Sequence, residues 1–82
     1  MPLYGVETKL KPDEAVERAV AYFGAGGLGL EVERQNPCCA TFTGGGGHVT
    51  VTARLGEDKR TLVQLETREW DYHVKQFMQK IG

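Results

Sequence analysis

The sequence lacks a charge excess, a long apolar run and any spread of cysteines, and each absence removes a class of function. Ten basic residues stand against eleven acidic ones, a formal net charge of −1. Such a chain carries no strong field for nucleic acid, an anionic membrane or an acidic partner. No window approaches the roughly 18 apolar residues of a membrane span. The opening Met1-Pro2-Leu3-Tyr4-Gly5 has no basic stretch leading into an apolar one, so the expectation is a cytoplasmic protein. The only cysteines, Cys38 and Cys39, are neighbours. Successive side chains of a strand point to opposite faces, which predicts two free thiols in a reducing compartment rather than a bridge. Eighty-two residues make one domain, residues 1–82, that buries about 60 to 65% of its unfolded surface.

Glycine, by contrast, is plentiful, and it is concentrated at 24–29 and 44–47. On both sides of the Gly44–Gly47 run, apolar and polar residues alternate through Cys38–Thr43 and His48–Leu55. That pattern predicts a β-hairpin on a four-residue loop. It sets Thr43 opposite His48, Phe42 opposite Val49, Thr41 opposite Thr50, Ala40 opposite Val51 and Cys39 opposite Thr52. Both strands then agree on an apolar face of Cys38, Ala40, Phe42, Val49, Val51, Ala53 and Leu55. A slip of one residue would turn every one of them outward. The other face, with Cys39, Thr41, Thr43, His48, Thr50, Thr52 and Arg54, is polar and rich in threonine, whose branched side chain favours strands.

The flanking segments supply the cover. Leu3–Leu10 reads as a strand with Tyr4, Val6, Thr8 and Leu10 on one side. Pro12 with Asp13 and Glu14 opens a helix that runs to Phe23 with Val16, Ala19, Val20 and Phe23 in one stripe. Glycines 24, 26 and 27 are expected to close it through the left-handed conformation. Leu28, Leu30 and Val32 predict a strand that breaks at Asn36-Pro37. Thr61, Val63, Leu65 and Thr67 predict another, joined to Leu55 by a three- or five-residue turn, because only an odd turn keeps Val63 and Leu65 on the side of Val51 and Ala53. Trp70, Val74, Phe77, Met78 and Ile81 form the stripe of a final helix, with Thr67 its expected N-cap and Glu69 and Asp71 in its first turn.

The predicted order is β-α-β-β-β-β-α, an α+β fold. The last four strands form a meander, and antiparallel pairing places the first strand beside the fifth, giving one five-stranded antiparallel sheet of order 2-3-4-5-1 with both helices on one face. This element order resembles one repeat of the TATA-box-binding-protein-like fold, a curved antiparallel sheet with two helices on its convex side. The resemblance covers nearly the whole chain and rests on element order alone. It implies architecture, and with it that two copies pair edge to edge into a saddle-shaped sheet. A shortened helix-grip fold, with a ligand cavity between sheet and last helix, is the competing analogy.

Few residues point to chemistry. Gly24-Ala25-Gly26-Gly27-Leu28-Gly29 spells G-x-G-x-x-G, but it closes a helix and opens a strand, the reverse of the dinucleotide-binding context. Backbone N–H groups of Gly44–Gly47 beside His48 suit an anion nest, yet neither a helix N-terminus nor a lysine follows, and a hairpin tip is the simpler reading. Cys39, His48 and His73 have no metal-ligand spacing, so no metal and no cofactor are expected. Glu31, Glu33 and Glu66, placed on the open face, see water and lack the desolvation a catalytic carboxylate needs. Nothing points to an enzyme.

The leading expectation is therefore a non-enzymatic binding or assembly module. It contacts a second copy or a protein partner through the open face around Thr41, Thr43, His48, Thr50, Thr52, Arg54, Gln64 and Arg68, or through the exposed edge of the second strand. Interfaces exclude charge from their centre, and the middle of this face is uncharged. A small molecule held between the last helix and the sheet, near Trp70, Phe77 and Phe42, is one alternative. Nucleic acid on the open face is another, against which Glu7, Glu31, Glu33 and Glu66 weigh.

Overall fold

The computed structural model describes residues 3–56 and 58–82. Expectations that touch Met1, Pro2 and Glu57 lie outside them. In chain order the elements are β1 (Leu3–Thr8), α1 (Pro12–Phe23), β2 (Glu31–Asn36), β3 (Cys39–Gly44), β4 (Gly47–Leu55), β5 (Thr61–Arg68) and α2 (Asp71–Ile81). One antiparallel sheet carries all the strands in the order β1-β5-β4-β3-β2, the order that a meander closed by antiparallel pairing of the first and fifth strands predicts.

The central hairpin holds the expected register from Cys39↔Thr52 through Thr43↔His48. Its strands run one residue further, so that Gly44 pairs with Gly47 and the turn shrinks to Gly45-Gly46. Both turn residues have positive φ, 59° and 80°, the signature of a type I′ turn whose twist matches that of the strands it joins. Glycine is needed here because a side chain at positive φ is strained. Leu55 pairs with Thr61, leaving five residues between, in keeping with the odd turn that face parity demands.

One face of the sheet is the core. Ala40, Phe42, Val49, Val51, Ala53, Val63 and Leu65 are buried with Ala15, Val16, Ala19 and Phe23 of α1 and Val74, Phe77 and Ile81 of α2. Phe23 is where three elements meet, its ring centroid 5.5 Å from Phe42, 5.3 Å from Phe77 and 5.0 Å from Tyr22. Burying one such ring contributes about 1.5–3 kcal/mol relative to leaving it exposed. Two residues expected on this face do not share it. Cys38 lies in the β2–β3 turn, exposed, and Leu55 is 65% exposed, because it sits at the end of β4 past the cover of the helices.

Helix ends depart from expectation in instructive ways. Pro12 opens α1, and Glu14 Oε1 accepts from the Lys11 N–H at 3.2 Å; Lys11 has no side-chain acceptor to return the bond, so only half of a capping box exists. Gly24 ends α1 with a negative φ of −80°, not in the left-handed region. Close approach explains Gly24 and Gly27 instead: a Cβ would meet the Val20 carbonyl oxygen at 2.5 Å on the first and the Tyr22 carbonyl oxygen at 2.0 Å on the second. At α2 the N-cap is Trp70, not Thr67. Thr67 stays in β5, buried, and donates its hydroxyl to the His48 carbonyl at 2.9 Å, since the β4–β5 ladder runs on to His48↔Arg68. Glu69, with φ 74°, makes the corner between β5 and α2.

Candidate functional site

Both helices lie on the core side, so among the described residues nothing covers the opposite face. Register turns that face into rows across the strands. One row reads Glu31, Thr43, His48, Arg68 from β2 to β5; the next Arg34, Thr41, Thr50, Glu66, with Leu3 of β1 beyond; the third Asn36, Cys39, Thr52, Gln64, Gly5. Arg54, Leu62 and Glu7 complete it at the β4, β5 and β1 end. All eight residues singled out from sequence, Thr41, Thr43, His48, Thr50, Thr52, Arg54, Gln64 and Arg68, thus stand on one surface. The threonines, His48 and Gln64 are half-buried, the two arginines exposed.

The middle of this surface is threonine, and the charges flank it. His48 Nε2 lies 3.6 Å from Glu66 Oε1, with the side chains 27% and 47% exposed, a contact that becomes an ion pair when the imidazole is protonated and is worth little in solvent. Along β2 the register adds a residue that strict alternation does not place there. A bulge between Val32 and Arg34 leaves Glu33 without a partner. It sets Arg34 opposite Thr41, so that Arg34 shares the face with Glu31. No motif in the sequence marks this bulge, so alternation alone does not place Arg34 on the face.

At the far end of β2, Cys38 and Cys39 are joined by a disulfide, against the expectation of free thiols. The alternation argument fails because Cys38 is a turn residue: Asn36 pairs with Cys39, and Pro37 and Cys38 make the corner. The Cys38 N–H donates to Asn36 Oδ1 at 3.2 Å. Cys38 Sγ is also 3.1 Å from that oxygen, but a bridged sulfur has no proton to donate, and the backbone N–H is the hydrogen bond.

The other candidates resolve into structural contacts. The glycine tip is covered by Trp70, whose indole N–H donates to the Gly44 carbonyl at 3.0 Å and whose ring lies 3.0 Å from where a Cβ on Gly45 would stand. Phe77 is 1% exposed inside the aromatic cluster. The inward hydroxyls are all used by backbone: Thr8 donates to the Ile81 carbonyl at 2.5 Å, Thr61 to that of Leu10 at 2.5 Å and Thr67 to that of His48. No buried side-chain nitrogen or oxygen among the described residues lacks a partner. Cys39 and His48 are two rows apart along the strands, roughly 13 Å at the rise of a β-strand. Among the described residues no three His, Cys, Asp or Glu side chains are grouped to hold a metal ion, and no helix is long and apolar enough to cross a membrane.

No family model matches the chain, and no curated protein matches it.

Proposed function

We propose that this protein is a small non-enzymatic assembly module whose open sheet face is its contact surface, with a second copy as the occupant its chemistry fits best. The observation that supports this is the face itself: an uncovered patch with Thr41, Thr50 and Thr52 at its centre and no charge there, flanked by arginine and glutamate. Sheet faces left bare in monomers are solvated by charged side chains, whereas interfaces place charge at the rim. Pairing by edges, as the TATA-box-binding-protein-like resemblance implies, has less support. β2 is exposed along its length, interrupted by the bulge, and carries Glu31, Glu33 and Arg34, devices that blunt an edge against addition of another strand. Nucleic acid finds three arginines on the face, Arg34, Arg54 and Arg68, balanced by Glu7, Glu31 and Glu66.

Sedimentation equilibrium on the whole chain tests the reading. Wild type is expected to associate with rising concentration, and Thr50→Arg, which sets a charge at the centre of the patch without touching the core, is expected to remain monomeric with an unchanged far-ultraviolet circular dichroism spectrum. Association that survives Thr50→Arg removes the face from consideration.

A further inference from the structure

The bulge at Glu33 brings Arg34 into register with Thr41 on the open face. β2 presents Glu31 opposite Thr43 in one row and, past the bulge, Arg34 opposite Thr41 in the next. Two strands away from β3, β5 presents the opposite order, Arg68 in the first of those rows and Glu66 in the second. The two flanks of the threonine centre are therefore complementary to each other, row by row.

We propose that two copies of this chain pack face to face about a two-fold axis that runs parallel to the strands over the gap between β3 and β4. This deepens the open-face reading and rests on it. Such an axis keeps each row in place and exchanges its flanks, laying β2 of one copy over β5 of the other and β3 over β4. Glu31 then meets Arg68 of the second copy, Arg34 meets Glu66 of the second copy, and Thr41 meets Thr50 of the second copy. The symmetry repeats each contact, so that four opposite-charge pairs frame a threonine centre. Facing sheets pack about 10 Å apart, a gap that an arginine and a glutamate reaching from opposite sides close between them.

Other isologous arrangements of the same surface lose this match. An axis perpendicular to the strands through the Thr41–Thr50 row sets Arg34 over Arg34 and Glu66 over Glu66, and like charges in apposition cost several-fold in affinity or more. Moving the parallel axis onto β4 sets Glu66 and Arg68 over threonines and leaves all four charges without a partner. Of these three axes, the one between β3 and β4 alone pairs all four. The patch, four strands wide and three rows long, measures roughly 20 Å by 20 Å. That is at the low end of specific interfaces, so the dimer is weak and concentration-dependent, and salt screens it.

The experiment is a charge exchange read by sedimentation equilibrium, with concentrations carried to about 1 mM at low ionic strength. Glu31→Arg alone and Arg68→Glu alone each bring like charges together in a homodimer, and each is expected to lose more than about ten-fold in association constant. Mixed in equal amounts, the two variants restore both contacts in the heterodimer and are expected to associate with each other. The double variant E31R/R68E is likewise expected to recover. All these side chains are exposed, and circular dichroism confirms that the fold is kept. Three results separate the outcomes. Recovery in the mixture establishes the axis. Self-association that both single variants retain, but that Thr50→Arg abolishes, overturns the axis and leaves the face as the contact surface. A wild-type chain that stays monomeric throughout overturns the axis and the self-association reading together.

Discussion

Tyr4 is the residue whose proton the fold uses most directly. Its phenol donates to Asp71 Oδ2 at 2.7 Å, tying the edge strand β1 to the first turn of α2. Because the carboxylate accepts that proton, the hydrogen bond first, then partial burial and the negative charge of Asp71, hold the phenol above its ordinary value of about 10. The sign of the resulting pH dependence follows. Below pH 10 both folded and unfolded chains keep the proton and the contact is intact. As pH rises past the unfolded value, the unfolded chain loses its proton first, so stability falls and continues to fall until the folded phenol also ionises. We expect the urea midpoint of wild type to decline more steeply than that of Tyr4→Phe as pH rises past the ordinary phenol value of about 10. Equal slopes for the two proteins would show that the contact is not held in solution. Dipole complementarity alone predicts the carboxylate of Asp71 in the first turn of the last helix; its tyrosine partner, 67 residues away, leaves no trace in local pattern, which marks Tyr4 only as sharing a strand side with Val6, Thr8 and Leu10.

Elements were legible wherever a strict period reached across them, and illegible where one residue broke the period. The β3–β4 hairpin and β5 could be registered from alternation because each has one buried face, which makes a slip expensive. β2 has no buried residue, so nothing in its hydrophobic pattern fixes its pairing, the bulge at Glu33 or the face of Arg34. At the β2–β3 corner alternation fails for a related reason: at Cys38 the chain is already turning. The bridge between Cys38 and Cys39 spans a sequence separation of 1, the shortest loop a disulfide can close. Since the stabilisation from a cross-link grows with the loop it closes, this one constrains the unfolded chain little, by about 1 kcal/mol. Cys38→Ser with Cys39→Ser is accordingly expected to shift the urea unfolding free energy by no more than about 1 kcal/mol while removing both thiols that titrate after reduction. A loss several times larger would mean that the bridge holds β2 to the sheet, a role that the Asn36↔Cys39 pairing already fills.

At the scale of the whole molecule, stability is graded across the sheet from its middle to the β2 edge. β4 and β5 are flanked on both sides by other strands, and their inward residues Val49, Val51, Val63, Leu65 and Thr67 are each at 0% exposure. β1 is also an edge, but α2 clamps it at two points, Tyr4 to Asp71 and Thr8 to the Ile81 carbonyl. β2 has neither: all six of its residues are exposed, and its hold on the rest comes through the ladder to β3 and the buried Leu30 that precedes it. Opening β2 therefore exposes little apolar surface beyond the partly covered Val32, while opening β4 dismantles the core against both helices. Amide exchange should follow that gradient, with β4 and β5 exchanging only through global unfolding and β2 through local opening, its protection lower by about two orders of magnitude or more. Raising the protein concentration into the range where copies associate should slow β2 selectively, because Glu31 and Arg34 are then held by the second copy while the core strands are already at the global limit. Protection in β2 equal to that of β4 at every concentration would show that the edge is held by something other than its ladder, and the weak facing dimer would lose its clearest signature.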